Sequence, residues 1–453
     1  MNPPLLALLA AGLMLPVTAA DWPNWRGPNF NGSTDAKGLP SSFSPSENVR
    51  WKASLPGPAG SSPIVVGGRV FLTAAVEKDN QVVAMALDAA TGAVQWSALV
   101  ADRFRSDDRS NFAGPSPASD GSRVVFFAGT GDLASFALDG KKEWHRNIQK
   151  DHGRFAFLWT FSTSPVLHDG RLYMQVLQRN SAFEAHGEQK GEPDGKNESY
   201  LLAIDPATGK DLWRMVRPAD AVDESLEAFT TPVPATLGGR AELLIAGGDC
   251  LSGHDPATGQ ELWRWGTWNP SKIGHWRLVP SPVTDGRTIL ACAPKGAPVY
   301  AVKAGLNGAH TDEGSLAWRT KLDDEDMPSK AYKDVSSDVA TPLLYNGHYY
   351  ILNGEKQRLA CVKPETGEVL WNEELGGRTK IEASPTGADG KIFVMDHRGE
   401  VFVVKADPAK FELLHRAEMM DRNTRDLRAT IAVAHDSLFI RTEDTLYCIG
   451  VGE

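Results

Sequence analysis

Cysteine is scarce in this chain: four stand among 453 residues. Cys250, Cys292, Cys361 and Cys448 form no CxxC or CxxCH, which argues against a zinc site or a covalently attached haem. Each lies in a strand-like apolar stretch and reads as a small buried hydrophobe, with a disulfide between neighbouring units as the alternative. Positive charge is also in deficit. Lys and Arg number 47 against 57 Asp and Glu, a formal net charge of −10. That balance speaks against a nucleic-acid partner and against adhesion to an anionic membrane. Beyond residue 20 no apolar run is long enough to span a bilayer. A P-loop, a nucleophile elbow and an H-E-x-x-H helix are all missing.

The first twenty residues, MNPPLLALLAAGLMLPVTAA, have an apolar centre too short for a membrane span and end in small residues. They read as a signal peptide over 1–20 with a mature start at Asp21, although its leading end carries no Lys or Arg. No cysteine stands at the boundary, so a lipid anchor is not indicated. A periplasmic or secreted protein is expected.

What the chain does have is a repeat. One half of it ends in A-x-D-x-x-T-G-x-x-x-W, as in LDAATGAVQW (Asp88, Trp96), IDPATGKDLW (Asp205, Trp213), HDPATGQELW (Asp255, Trp263) and VKPETGEVLW (Trp371). Decayed copies end at Trp144 and Trp318, and ADPAKFELLH from Ala406 has lost the Trp. The other half is a small residue and Pro followed by a hairpin, as in SSPIVVGGRVFL from Ser61 and STSPVLHDGRLYM from Ser162. Alternating apolar runs joined by G-G, D-G and N-G pairs are short antiparallel strands with tight turns. The D-x-x-T-G stretch is a further turn, and the Trp opens an outer strand whose ring can wedge between neighbouring units.

A unit of about fifty residues suits a propeller blade. Eight units can be counted; seven with one stray unit is the alternative. The last stops near Gly450 without a Trp strand, while NVRWKASLP (Asn48 to Pro56) offers a free one carrying Trp51. The expectation is an all-β, eight-bladed propeller over 48–453, closed by pairing of the N-terminal strand with the last blade. Residues 21–47 form an N-terminal arm. Its Trp22, Trp25 and Arg26 are expected to pack across a propeller face, covering apolar surface or the channel end, a partner-binding arm being the competing reading. Two polar insertions, Arg179 to Ser199 and Lys303 to Ser315, read as solvated excursions.

These units resemble the pyrroloquinoline-quinone (PQQ) repeat, and the opening DWPNWRGPNFNGS is similar to that of many exported PQQ-like propellers. The resemblance implies an eight-bladed propeller and one of two roles. The quinoprotein alcohol dehydrogenases hold PQQ and calcium at the channel mouth with an Asp as base. They typically carry an adjacent Cys pair that this chain lacks, and no calcium-binding Glu, Asn and Asp can be matched here. BamB-like proteins need no cofactor and bind protein partners, but are generally lipoproteins. The expectation is a monomeric, non-catalytic scaffold that binds a protein or peptide partner in the envelope, or a small ligand at the mouth. A PQQ- and Ca²⁺-dependent dehydrogenase is the alternative.

In a propeller the loops entering the innermost strands converge on one mouth of the channel. Those loops contain Arg109, Asn111, Arg154, Trp159, Glu224, Glu227, His275, Trp276, Arg277, Tyr332, Lys333, Asp334 and Asp338. Lys380, Glu382, Arg422, Arg425, Asp426 and Arg428 complete them. Convergent polar groups in a concavity are the usual ligand-site signature. The same groups can equally do no more than neutralise one another. No catalytic residue or metal ligand is assigned.

Overall fold

The computed structural model describes residues 21–180, 189–266, 268–311, 313–320, 335–420 and 426–451. The expected leader over 1–20, and Tyr332, Lys333, Asp334, Arg422 and Arg425, lie outside the described residues.

Eight blades of four antiparallel strands stand in a ring, with the strands in sequential order from the inside outward in all but the last. Blade 1 is Ile64–Val66, Arg69–Val76, Gln81–Asp88 and Val94–Ala101. Blade 8 takes three strands from the C-terminal end, Ala432–Ala434, Ser437–Arg441 and Thr445–Ile449. Its outer strand is Val49–Ser54, antiparallel to Thr445–Ile449, with Trp51 opposite Cys448. The ring is therefore closed by hydrogen bonds between the two ends of the propeller, which leaves no blade short of an outer strand. The core is not one central mass but lies between neighbouring blades. Phe71, Val82 and Ala84 of blade 1, for example, share a buried cluster with Phe126, Ala134 and Phe136 of blade 2. All four cysteines are buried and unpaired within it.

The Trp of each outer strand explains the repeat. In blade 1, Asp88 Oδ1 accepts from the backbone N–H groups of Ala90 and Thr91 at 3.0 and 2.9 Å and folds the turn. Trp51 of blade 8 reaches this turn: its Nε1 donates to Ala89 O at 2.9 Å. Gly92 has φ +73°, and a Cβ there would stand 2.5 Å from the Trp51 ring. Trp96, Trp144, Trp213, Trp318 and Trp371 likewise each donate to a backbone carbonyl in the next blade's turn. Asp205 and Asp255 organise two of those turns as Asp88 does. Trp263 departs from the rule. Blade 5 has an insertion in place of the D-x-x-T-G turn, and Trp263 Nε1 donates instead to the buried Glu242 of its own blade at 2.6 Å. Glu242 is in turn paired with Arg240 at 2.7 Å.

The described residues of both insertions make specific backbone and side-chain bonds. Gly308–His310 adds a fifth strand to blade 4, parallel to Glu261–Trp265. In the first insertion Gln189 is buried; its Nε2 donates to Gly129 O, and its Oε1 accepts from Phe161 N–H. Gly308 and Ala309 stay exposed, as the solvated reading expects, whereas the burial of Gln189 departs from it. A polar side chain can be buried when backbone groups satisfy it, which composition does not reveal.

The candidate functional site: a cup closed at one end

Two residues before each innermost strand stands a serine or threonine, which precedes proline in seven of the eight blades. Proline forces the residue before it into an extended conformation. The eight residues thus meet the channel in the same pose, all of them buried. At seven of the eight steps the backbone N–H bonds to the hydroxyl of the next blade around the ring. Ser62 donates to Ser116, Ser116 to Ser164, Thr231 to Ser281 and Ser281 to Thr341, at 2.8–3.0 Å. Thr341 donates to Ser384 at 2.9 Å, Ser384 to Thr430 at 3.3 Å, and Thr430 to Ser62 at 2.8 Å, across the closure.

Below this belt the arm seals one end of the channel. Trp22 pairs both ways with Val65 of blade 1, at 2.7 and 2.9 Å. Pro23 O accepts from Ser119 of blade 2, and Asn31 O from Leu344 of blade 6. Arg26 crosses to the far wall. Its guanidinium is fully buried and donates to Pro385 O at 2.9 Å and Pro342 O at 3.0 Å. No carboxylate answers it among the described residues, and burial lowers its pKa to about 9. The expected covering of the channel end is what the arm does.

Above the belt is a cavity of about 600 Å³, with Trp25 on its lining from below. Of the expected mouth residues, Arg109, Trp159, Arg277, Asp338, Lys380, Glu382 and Arg428 line it. Arg154, Glu227, His275 and Trp276 do not. Arg154 is exposed, and its backbone N–H is bound to Glu192. Glu227 is buried against Arg179 and accepts from Leu158 N–H. His275 faces solvent, and Trp276 packs against the blade 4 and 5 core with its N–H on Ser225.

Some of the charge is internally paired. Arg277 meets Glu224 at 2.8 Å. Glu382 holds Arg428 at 2.6 Å, His397 at 3.1 Å and Lys380 at 3.3 Å, and His397 also faces Asp426 at 3.4 Å. Burial pushes the Glu382 carboxyl up, but His397, Arg428 and Lys380 outweigh it and hold the group far below the usual carboxylate range. Arg109 lies over the Trp159 ring at 5.6 Å. Asp338 is committed to the Lys295 backbone N–H at 2.7 Å.

Among the lining residues outside the expected set are Trp25 at the floor and Lys295 and Lys356 on the rim. The two lysines sit in turns between the second and third strands of blades 5 and 6. An antiparallel blade returns those turns to the same end as its entering loop, a rule that locates them from sequence. Six basic side chains then line the cup (Arg109, Arg277, Lys295, Lys356, Lys380, Arg428), against the acidic Asp338, Glu355 and Glu382. Among the described residues no three His, Cys, Asp or Glu are grouped so as to hold a metal ion.

An eight-bladed propeller with a cup at one mouth and an arm across the other is the class this architecture defines. A family model described as "Outer membrane protein assembly factor BamB" matches residues 42–192 and 197–451, and the chain belongs to that family of PQQ-like repeat propellers. It is 28% identical over 205 residues to a polyvinylalcohol dehydrogenase of Pseudomonas sp, a match covering 44% of this chain and 29% of that protein. The matched stretch is thus less than a third of that relative's length. Among solved structures, a europium-containing methanol dehydrogenase superposes with TM-score 0.62 at 11% identity, covering 93% of this chain and 89% of that one. BamB from Moraxella catarrhalis superposes with TM-score 0.52 at 14% identity, covering 82% and 94% respectively. At these identities the structural likeness speaks for the fold.

Proposed function

We propose that this protein is an envelope propeller that binds a small anionic ligand in its cup, acting as a binding component rather than a catalyst. One observation carries the reading: a cavity lined by twice as many basic as acidic side chains in a chain of net charge −10. Its volume, about 600 Å³, lies within the range of small-ligand sites. The acidic exterior repels anions while the mouth attracts them, so a bound anion is selected by place as well as by charge. The test is a thermal-shift series with small tricarboxylates, their neutral amides and polyamines, at low and high salt. Anions alone should raise the melting temperature, and salt should erase the gain. Equal responses to anions and amides overturn the reading.

A second reading draws on the relatives named as dehydrogenases. PQQ is a flat tricarboxylate that supplies two-electron oxidation of alcohols when bound. The chemistry of the cup fits its acid groups: Lys295 and Lys356 would hold carboxylates, and Trp25 would lie against the ring system. The residues that would hold an accompanying metal do not fit as well, because Asp338 and Glu382 are already bound to protein groups. Adding PQQ and Ca²⁺ and following alcohol-dependent dye reduction, polyvinyl alcohol included, separates the readings. Turnover would replace the binding role with catalysis. A protein partner in the envelope remains open to pull-down with the intact chain as bait.

A further inference from the structure

The belt hydroxyls carry information beyond charge. A serine or threonine hydroxyl accepts through its lone pairs and keeps one proton to donate. Ser116, Ser164, Ser384 and Thr430 each accept a backbone N–H from the preceding blade and line the cavity. Among the described residues no acceptor takes their protons. Lys295 and Lys356 add ammonium donors with no carboxylate partner among the described residues. The wall therefore offers donors of two kinds, neutral ones in a ring deep in the cup and charged ones at the rim. At the floor lies an indole, Trp25. Hydroxyl donors on the wall and an indole on the floor match a molecule with an apolar ring face and oxygen acceptors around its edge. Charged donors above them match carboxylates displayed toward solvent.

We infer that the ligand is an acidic sugar, a uronate at the end of a short oligosaccharide, seated with its terminal ring on Trp25. The pyranose presents its C–H face to the indole, an apolar contact on a large rigid surface. Its ring and hydroxyl oxygens accept from the belt, and its carboxylate meets Lys295, Lys356 or Arg109. Further residues of the chain leave through the open mouth, since the arm blocks the other end. This inference deepens the anion-binding reading and rests on it.

The test is titration calorimetry of the full chain with di- and trigalacturonate, with the same oligosaccharides after carboxyl reduction, and with benzene tricarboxylate. The acidic sugar should bind at least about tenfold more tightly than its reduced form, the loss expected when a charge-assisted hydrogen bond goes. Lys356→Gln, on the exposed rim, should weaken the acidic sugar by a similar factor and leave the melting temperature unchanged. Trp25→Phe should weaken both sugars together, and its melting curve shows whether the arm is still seated. Equal affinity for the acidic and reduced sugars overturns the carboxylate assignment. Binding of benzene tricarboxylate without binding of either sugar overturns the sugar and leaves the anionic cup standing. Failure of every anion overturns both.

Discussion

Trp51→Ala removes the residue that holds the ring shut at its seam. The ring of Trp51 is 8% exposed, lies 6.0 Å from Phe439 and rests on the Gly92 turn of blade 1. Burying a tryptophan removes roughly 200 Å² from water, which at about 25 cal/mol per Å² is about 5 kcal/mol. The lost bond to Ala89 O adds about 1 kcal/mol. Partial collapse of the site offsets some of this, and measured Trp→Ala losses in cores of about 3–5 kcal/mol set the expectation. Trp371→Ala is the control: it is 7% exposed and makes the same kind of bond, to Asp407 O at 2.9 Å, but its strand is joined to its own blade by a hairpin. The two variants should lose similar stability. They should differ in hydrogen exchange. Trp51→Ala should deprotect Val49–Ser54 and Thr445–Ile449 together, because the outer strand of blade 8 has no hairpin to return it. Trp371→Ala should affect only its own blade and its neighbour. Seam amides as protected in Trp51→Ala as in the wild type would mean that Trp51 does not hold the closure.

Other perturbations follow from single contacts. Gly209 and Gly170 have nearly the same φ, +70° and +69°, but a Cβ at Gly209 would stand 2.7 Å from the Trp144 ring while one at Gly170 meets nothing within 4 Å. Both alanine variants should lose about 1 kcal/mol to the backbone, and Gly209→Ala at least about 2 kcal/mol more, read as a difference between their denaturation midpoints. His254, 1% exposed and bonded to Ser252 and Gly259, is held neutral by burial, which lowers its pKa from 6.5 to about 4. Its contribution is complete above pH 6.5 and is lost as the pH falls toward 4, by roughly 3 kcal/mol at about 1.4 kcal/mol per pH unit. His254→Gln should flatten the fall in stability between pH 7 and pH 4.5; an unchanged slope assigns the acid sensitivity elsewhere. Arg26→Met leaves two buried carbonyls without their donor and should cost about 2–4 kcal/mol, with faster proteolysis of the arm as its signature. Arm cleavage at the wild-type rate would show that Arg26 is not the anchor.

The ring was legible in sequence because a propeller repeats its constraints. The Asp turn, the glycine under the Trp and the Ser/Thr-Pro step recur in blade after blade, and the surplus Trp strand at Asn48 announced the closure. Trp263 was misleading because its docking partner lies in the next blade, where the turn had been replaced. No local pattern in HDPATGQELW records that loss. The mouth was read from entering loops alone, which captured Arg109, Trp159 and Lys380 but not Lys295 or Lys356, whose turns share that end by strand parity. His275 and Trp276 lay in such a loop and still missed the cavity: the Trp276 backbone is bonded to Ser225 and its ring packs on the blade 4 and 5 core. Trp25 could be placed at a channel end, but only the crossing of the arm to blades 6 and 7 shows that it forms a floor.

The most direct test of the anionic cup is diffraction from crystals soaked in sodium iodide, with the anion located by its anomalous signal. Iodide should lie inside the cavity beside Lys295, Lys356 or Arg109 and be displaced when a tricarboxylate is added. Iodide distributed over the outer blade surface with none in the cup would contradict it.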